Sequence, residues 1–196
     1  MHLSAPEESA GLSRLEASSV PPEALLDAGN ARPPLTVRVN PRVIRREGWL
    51  AACAAAGIAA TPVGAAGAIV DPPRPVPELP GYADGAFSVQ DAAAQLAAPL
   101  LDLADGQRVL DACAAPGGKS TQVLESADVE LLALDSDATR LNRVRANLTR
   151  LRLDSPRVTV REGDAGAPRG WWDGRPFDRI LADVPCTASG VVRRHP

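Results

Sequence analysis

The stretch RVLDACAAPGGKST, residues 108–121, joins an apolar run to a glycine-rich turn and the start of a further periodic segment. The run before Asp111 predicts a buried strand, and Gly117 and Gly118 predict a tight turn into a helix. In an open parallel sheet, ligands bind beyond the carboxyl ends of the strands, where such a turn lies. The stretch therefore predicts a strand, a ligand-binding loop and a helix.

The second half of the chain repeats this alternation. Strand patterns occur at RVLDAC (108–113), ELLALD (130–135), RVTVREG (157–163) and FDRILADVP (177–185). Helical patterns at 119–126 and 138–153 separate the first three, and a further helix is predicted over 88–103, capped by Ser88. Alternating strands and helices predict an α/β fold with a parallel, Rossmann-like sheet, of which these are the first four strands.

The first half predicts a smaller unit. LTVRVN (35–40) and residues 68–70 read as strands, residues 45–57 as a helix, and the proline-rich segment 71–85 as an extended linker. We therefore predict a tail at 1–32, a small α/β module with its linker at 33–85, and the beginning of the larger domain at 86–196.

Composition excludes several classes of protein. The chain of 196 residues is 45% hydrophobic with a net charge of −3, so a buried core is expected and no strongly basic balance is present. The three cysteines, Cys53, Cys113 and Cys186, are not spaced as metal ligands are, so we predict that they are free thiols. Cys53 is predicted to lie in the core. Without a signal peptide or membrane-spanning run, we predict a cytoplasmic monomer without metal or membrane partners.

The glycine-rich loop matches neither of two familiar nucleotide loops. A P-loop requires glycine where this chain has Cys113, and the dinucleotide pattern G-x-G-x-x-G is absent. A P-loop nucleotidase, with ILAD (180–183) as its acidic strand, is the rival interpretation. Lys119 is the sole lysine among 21 basic residues, which suggests a local need for an ammonium group.

Acidic residues follow the next two strands. Asp135 ends the second strand, where an acid hydrogen-bonds ribose hydroxyls, although it also fits a helix cap. Asp164 follows the third strand and is a candidate for the adenine amino group. The loop is suited to a small charged group, one acid to a ribose and the other to an adenine. Together these features predict S-adenosylmethionine as the cofactor.

The fourth strand delivers Asp183 and Cys186 to the same edge. A thiolate that adds to carbon 6 of cytosine makes carbon 5 nucleophilic enough to take a methyl group, and a carboxyl stabilises the adduct at nitrogen 3. The structural alternatives are a buried thiol and a turn acceptor. Arg193 and Arg194 are well placed to contact substrate phosphates. The arginines of 138–153 read as a solvated face, and Trp171 and Trp172 as edge packing rather than base stacking.

The motifs VQDAAAQ, LDACAAPGGKST, ALD, EGD and DRILADVPCTASGVVRRHP resemble those of the RsmB/Sun-type RNA cytosine-5 methyltransferases, from about Pro33 to Pro196. The resemblance implies methylation of small-subunit ribosomal RNA by a Rossmann-like domain behind a small RNA-binding module. It assigns the cofactor site to Asp135, Asp164, Asp183 and the loop residues Cys113, Ala114, Ala115, Pro116, Gly117, Gly118 and Lys119.

The chain also departs from that family. The family has a helical RNA-binding domain before the module, and a later Thr-Cys-Ser-like cysteine that acts as the covalent nucleophile. Cys186 is the last cysteine here, so the resemblance makes it the thiol that assists product release. We therefore expect a chain truncated at both ends with impaired catalysis, and the alternative is a non-catalytic fragment that binds RNA or cofactor.

Overall fold

Two four-stranded sheets form the core of residues 33–184, which the computed structural model describes together with the isolated positions 21 and 24. The elements are β1 (Leu35–Val39), α1 (Arg46–Ala55), β2 (Ala60–Val63), β3 (Gly67–Val70), β4 (Phe87–Val89), β5 (Arg108–Asp111), α2 (Gly118–Ser126), β6 (Glu130–Asp135), α3 (Ala138–Arg150), β7 (Val158–Glu162) and β8 (Arg179–Leu181). None of the helices among these residues has the length and apolar character needed to cross a bilayer.

The first sheet is antiparallel with the strand order β2-β3-β1-β4. α1 buries Trp49 and Cys53 against it, next to Val37, Val70 and Phe87. The predicted core position of Cys53 is confirmed, and its burial raises the pKa of the thiol. The sequence prediction missed β2, since its four residues ATPV lack a clear alternation.

The second sheet is parallel with the strand order β7-β6-β5-β8, which confirms the predicted Rossmann-like α/β fold. The apolar face of α3, with Leu141, Val144 and Leu148, packs with α2 on one side of the sheet. On the other side, Trp171 packs against Leu110 and neighbouring strand residues. β6 is buried along almost all of its length, as expected of an interior parallel strand.

The predicted helix over 88–103 is wrong. Phe87–Val89 instead forms β4, which pairs with β1 through Val37↔Val89 and Val39↔Phe87. The rest of the segment forms turns and two short 3-10 helices that end at Asp102, a residue with a φ of 48°. The alanine-rich composition favours a helix locally, but pairing with β1 overrides that preference.

Residues 34–184 form one compact unit, in which the proline-rich segment is packed rather than extended. Leu79 is buried in the core of the first sheet, and the ring of Tyr82 lies 5.8 Å from that of Phe87. β4 lies beyond position 85, where we predicted the module to end, yet it belongs to the module's sheet. The division of the chain into domains stays a prediction.

Candidate cofactor site

The strand order creates a crevice between β5 and β8. The chain runs from β5 outward through β6 to β7 and then returns to place β8 on the other side of β5. Such a switch point is where open α/β sheets bind ligands, beyond the carboxyl ends of the strands. Asp111 ends β5, and Asp183 follows β8 at the same edge.

Asp111 is a buried carboxyl at this switch point. Its side chain is 1% exposed, and its Oδ2 accepts a hydrogen bond of 2.6 Å from the hydroxyl of Ser120 in α2. Its Oδ1 has no hydrogen-bond partner among the described residues. Burial raises the pKa of Asp111 to about 6, and the Ser120 hydroxyl and the nearby backbone N–H of Cys113 oppose this rise only in part. A buried oxygen without a partner is suited to a polar ligand group.

The loop between β5 and α2 follows a path that glycine permits. Gly117 has a φ of 104°, and an added Cβ would lie 3.2 Å from the Cα of Val144 in α3. At Gly118, by contrast, an added Cβ meets nothing within 4 Å. The first N–H groups of α2 lack intrahelical partners, so the loop combines open space with free amide donors.

Lys119 projects from the start of α2 to the neighbouring strand end. Its ammonium group donates a hydrogen bond to a carboxylate oxygen of Asp183. The sequence singled out this lysine for a local need of an ammonium group, and the structure supplies the acceptor. The contact joins the loop after β5 to the segment after β8 across the switch point.

Asp135, at the end of β6, is held by three donors. Its Oδ2 accepts from the backbone N–H of Ala115 at 3.0 Å, and its Oδ1 accepts from the backbone N–H of Asp137 at 3.1 Å and from Arg140 Nη1 at 3.5 Å. Asp137, rather than Asp135, caps α3 by accepting from the N–H groups of Thr139 and Arg140. Asp135 therefore braces the loop instead of ending the helix.

The arginines of α3 are exposed as predicted except Arg150, which is half-buried, and Arg140 and Arg150 also contact other parts of the chain. Arg140 donates 3.0 Å to the carbonyl oxygen of Ala115 and also contacts Asp135. Arg150 donates to the carbonyl oxygens of Tyr82 and Phe87, each at 3.0 Å. The helix dipole disfavours a cation in the first turn, so the position of Arg140 was a signal for a specific partner that sequence reasoning missed.

Asp164 lies in the exposed turn after β7. Its Oδ1 accepts from the backbone N–H of Gly166 at 2.8 Å, and its carbonyl oxygen accepts from Trp171 Nε1 at 2.7 Å. Trp171 is buried against the face of the sheet formed by β5 and β6 rather than at the predicted edge, whereas Trp172 is half exposed. The N–H of Gly163 donates to the carbonyl oxygen of Asp135, so the turn that carries Asp164 adjoins the end of β6.

The pKa of the Cys113 thiol shows which charges surround the loop after β5. Burial raises the pKa of its thiol, and the carboxylates of Asp135, Asp111 and Asp183 raise it further. Arg140 opposes them, and the charge of Lys119 is paired with Asp183. The strand ends therefore present carboxylates to a ligand, which favours a cationic group over a polyphosphate.

Three predicted site residues lie outside the described residues. They are Cys186, Arg193 and Arg194. The structure brings together Asp111, Lys119 and Asp183 at the switch point, and links Asp135 to the loop.

Two family models match the chain. One, described as "Methyltr_RsmF/B-like, ferredoxin-like domain", matches residues 21–77, and the other, described as "16S rRNA methyltransferase RsmB/F", matches residues 98–196. The second match covers half of the chain, including the crevice between β5 and β8. The chain belongs to the RsmB/F family of 16S rRNA methyltransferases.

Individual relatives agree with the family assignment. The ribosomal RNA small subunit methyltransferases B of Pseudomonas putida and Serratia proteamaculans are 50% and 48% identical to this RsmB/F chain, each over 89% of it. These matches span 40% and 41% of the relatives, so the chain is equivalent to about two fifths of their length.

Solved structures share the fold. A methyltransferase homologue from Pyrococcus horikoshii is 27% identical with a TM-score of 0.72, over 82% of this chain and 53% of that one. NSun6 from the same organism is 18% identical with a TM-score of 0.70, over 81% of this chain and 65% of that one. These likenesses support the sheet topology of the RsmB/F chain.

Proposed function

We propose that this RsmB/F chain binds S-adenosylmethionine between the ends of β5, β6 and β8. The observation that carries the proposal is the convergence of Asp111, Asp135 and Asp183 around one loop. The ammonium and sulfonium groups of S-adenosylmethionine are cationic, and these carboxylates complement them. The unpartnered Oδ1 of Asp111 and the open space at Gly118 support the fit.

Within this proposal, each strand end has its own task. The backbone N–H groups of Gly118 and Lys119 and the carboxyl of Asp111 receive the amino-acid end of the cofactor, Asp135 receives the ribose hydroxyls, and Asp164 receives the adenine amino group. Asp135 keeps an accepting lone pair beyond its three present donors. A triphosphate would meet these carboxylates unfavourably, which argues against a P-loop nucleotidase.

We propose small-subunit ribosomal RNA as the substrate and cytosine carbon 5 as the methylated atom. The relatives' names support the RNA, while the cytosine specificity rests on the resemblance of the Asp183–Cys186 segment. Arg193 and Arg194 would contact the RNA phosphates. The monomeric state and the cytoplasmic location stay predictions.

The proposed chemistry is covalent catalysis by thiols. A thiolate, which the family resemblance assigns to a later cysteine than Cys186, adds to carbon 6 of cytosine, and the electron pair that reaches carbon 5 forms the new bond to the methyl group. Loss of the carbon 5 proton then restores the double bond and expels the thiolate. When the thiolate adds, nitrogen 3 of the base takes up a proton from solvent, and this N–H donates a hydrogen bond to the carboxylate of Asp183, which Lys119 holds in place; Cys186 assists release. The cofactor, when bound, supplies the electrophilic methyl group.

The proposal is tested by incubating the chain with unmodified small-subunit ribosomal RNA and radiolabelled S-adenosylmethionine, followed by nucleoside analysis. Label in 5-methylcytidine, lost in Asp183→Asn, supports the methylation proposal, but efficient transfer would contradict the expected impairment of catalysis. Label in another nucleoside overturns the cytosine assignment. Calorimetry with S-adenosylhomocysteine is run in parallel. Cofactor binding without methyl transfer is the second candidate function, because the carboxylates around the loop after β5 are sufficient to support binding. Absence of cofactor binding would refute both.

A further inference from the structure

β1 of the small module carries an arginine that is almost completely buried. Arg38 is 2% exposed, although arginine is rarely buried unless its charge is paired. Its guanidinium has five N–H donors, and each of them has an acceptor. The acceptors are Glu125 Oε2 (2.8 Å), Glu125 Oε1 (2.8 Å), Thr121 Oγ1 (3.1 Å), the carbonyl oxygen of Gly118 (2.9 Å) and Gln90 Oε1.

Most of these acceptors belong to α2. Glu125 binds the guanidinium with both carboxylate oxygens, a geometry that fixes the plane of the group. Gln90 follows β4 and also donates to Gln122 in α2 at 3.2 Å. The side chain of Arg38 therefore extends away from the antiparallel sheet and ends in a polar cluster at the first turns of α2. This helix begins in the cofactor loop, by which we mean residues 112–119 after β5.

The bond to Gly118 reaches the cofactor loop itself. Side chains hold three carbonyl oxygens of this loop: Arg140 holds that of Ala115, Asn147 holds that of Pro116, and Arg38 holds that of Gly118. Arg140 and Asn147 both come from α3, beside the loop. Arg38 comes from the other sheet, 80 positions earlier in the chain.

The restraint on the Gly118 carbonyl also orients an amide donor. The peptide between Gly118 and Lys119 is planar, so fixing its oxygen fixes the opposite direction of the Lys119 N–H. This N–H is one of the first of α2 and lacks an intrahelical partner. The Gly118 carbonyl oxygen also accepts a hydrogen bond from the hydroxyl of Thr121 at 3.1 Å, and Arg38 in turn donates to that hydroxyl, so Arg38 restrains the peptide both directly and through Thr121.

We propose that Arg38 is a positioning residue for the cofactor loop, through which the small module sets the affinity of the site for its cofactor. The proposal rests on the proposed function for the identity of the ligand. Arg38 itself touches no cofactor in this arrangement, because it lies behind the loop. It acts through the Gly118–Lys119 peptide and through Glu125.

Arg38→Lys is compared with the matched variant Arg150→Lys. Arg150 also bridges to the small module, but its hydrogen bonds among the described residues go to Tyr82, Phe87 and Ser88 and not to the loop. Lysine cannot reproduce the planar guanidinium in either place, although only Arg38 uses all five of its donors. Both variants are expected to lower the melting temperature, which makes Arg150→Lys the control for a merely structural effect.

Two measurements separate positioning from stability. Hydrogen exchange in the cofactor-free chain should be faster across residues 114–121 in Arg38→Lys than in Arg150→Lys. The affinity for S-adenosylhomocysteine should fall about tenfold in Arg38→Lys alone, as expected for loss of one well-placed hydrogen bond. Equal loop exchange and equal affinity in the two variants would overturn the proposal.

A second variant, Glu125→Gln, tests the same proposal if Arg38→Lys does not fold. Glu125→Gln retains the size of the side chain but removes the charge that holds the guanidinium, so loop exchange should rise to a smaller extent. Unchanged exchange in this variant counts against positioning. If the unaltered chain fails to bind S-adenosylhomocysteine, the proposed function is wrong, whereas the exchange comparison still decides the role of Arg38.

Discussion

Lys119 and Asp183 form an ion pair that joins the first turn of α2 to the end of β8. The two residues are 64 positions apart and meet because β8 lies next to β5 in the sheet. Asp111 lies in the same crevice, where Lys119 lowers its pKa and Asp183 raises it, both less strongly than burial does. The two members of the pair therefore shift the pKa of the buried carboxyl in opposite directions.

Replacing Lys119 with methionine should raise the pKa of Asp111 above about 6, because the carboxylate of Asp183 loses its counter-charge. The free energy of unfolding should change by less than about 1 kcal/mol, since the side chain of Asp183 is 57% exposed and such pairs contribute little. A carbon-13 NMR titration of the aspartate carboxyls measures the pKa. The control Lys119→Arg retains the positive charge and should leave the pKa of Asp111 near 6. An identical Asp111 pKa in the unaltered chain, Lys119→Met and Lys119→Arg would contradict the expectation.

Replacing Asp111 with asparagine should stabilise the folded chain at neutral pH. Burial holds the folded pKa at about 6 against an ordinary 3.8, so the unfolded state releases its proton first and the wild type loses stability as the pH rises from about 4 to 6. Above that range the penalty is about 3 kcal/mol. The free energy of unfolding of Asp111→Asn should therefore rise relative to that of the wild type between about pH 4 and 6, and the difference should stay constant above pH 6.

Urea unfolding between pH 4 and 8 measures this difference, with Asp154→Asn at an exposed position as the control for removal of a carboxyl. A stability difference that does not grow between pH 4 and 6 would refute the assignment. Because the proposed site uses the Asp111 carboxylate, the same variant should bind S-adenosylhomocysteine more weakly while being more stable.

Alanine substitutions at the adjacent residues Gly117 and Gly118 should change the free energy of unfolding in opposite directions. Gly117→Ala should lower the free energy of unfolding by about 1–2 kcal/mol, because a φ of 104° is unfavourable for alanine and Val144 is close. Gly118→Ala lies in α2 with free space around the new methyl group and should raise it by about 0.5–1 kcal/mol. Urea unfolding of the pair is the measurement, and equal changes would argue against the described loop path.

Arg140→Gln should weaken cofactor binding about tenfold, because Asp135 and the Ala115 carbonyl lose a shared donor that braces the loop. Arg143→Gln alters an exposed arginine one turn further along α3 and serves as the control. Calorimetry with S-adenosylhomocysteine compares the two. The bracing role is wrong if both variants bind as tightly as the unaltered chain.

Local patterns were sufficient for most of the second sheet. Glu130–Asp135 and Ala138–Arg150 lie where the apolar periodicity predicted a strand and a helix, because each pattern reflects burial of its own segment. Phe87–Val89 was mistaken for the start of a helix, since its strand conformation depends on β1, some 50 positions away. Asp111 and Arg140 were missed as site residues because their partners lie on other elements.

The sequence by itself determined the α/β class, the glycine-rich loop after β5 and the acidic residues at the strand ends, because backbone preference and hydrophobic period are local properties. Only the tertiary structure decided that Arg38 reaches Gly118 and that Lys119 meets Asp183. Those contacts depend on the strand order β7-β6-β5-β8 and on the packing of β1 near α2. Strand order and packing are set by the summed burial of the whole core, which no single segment encodes.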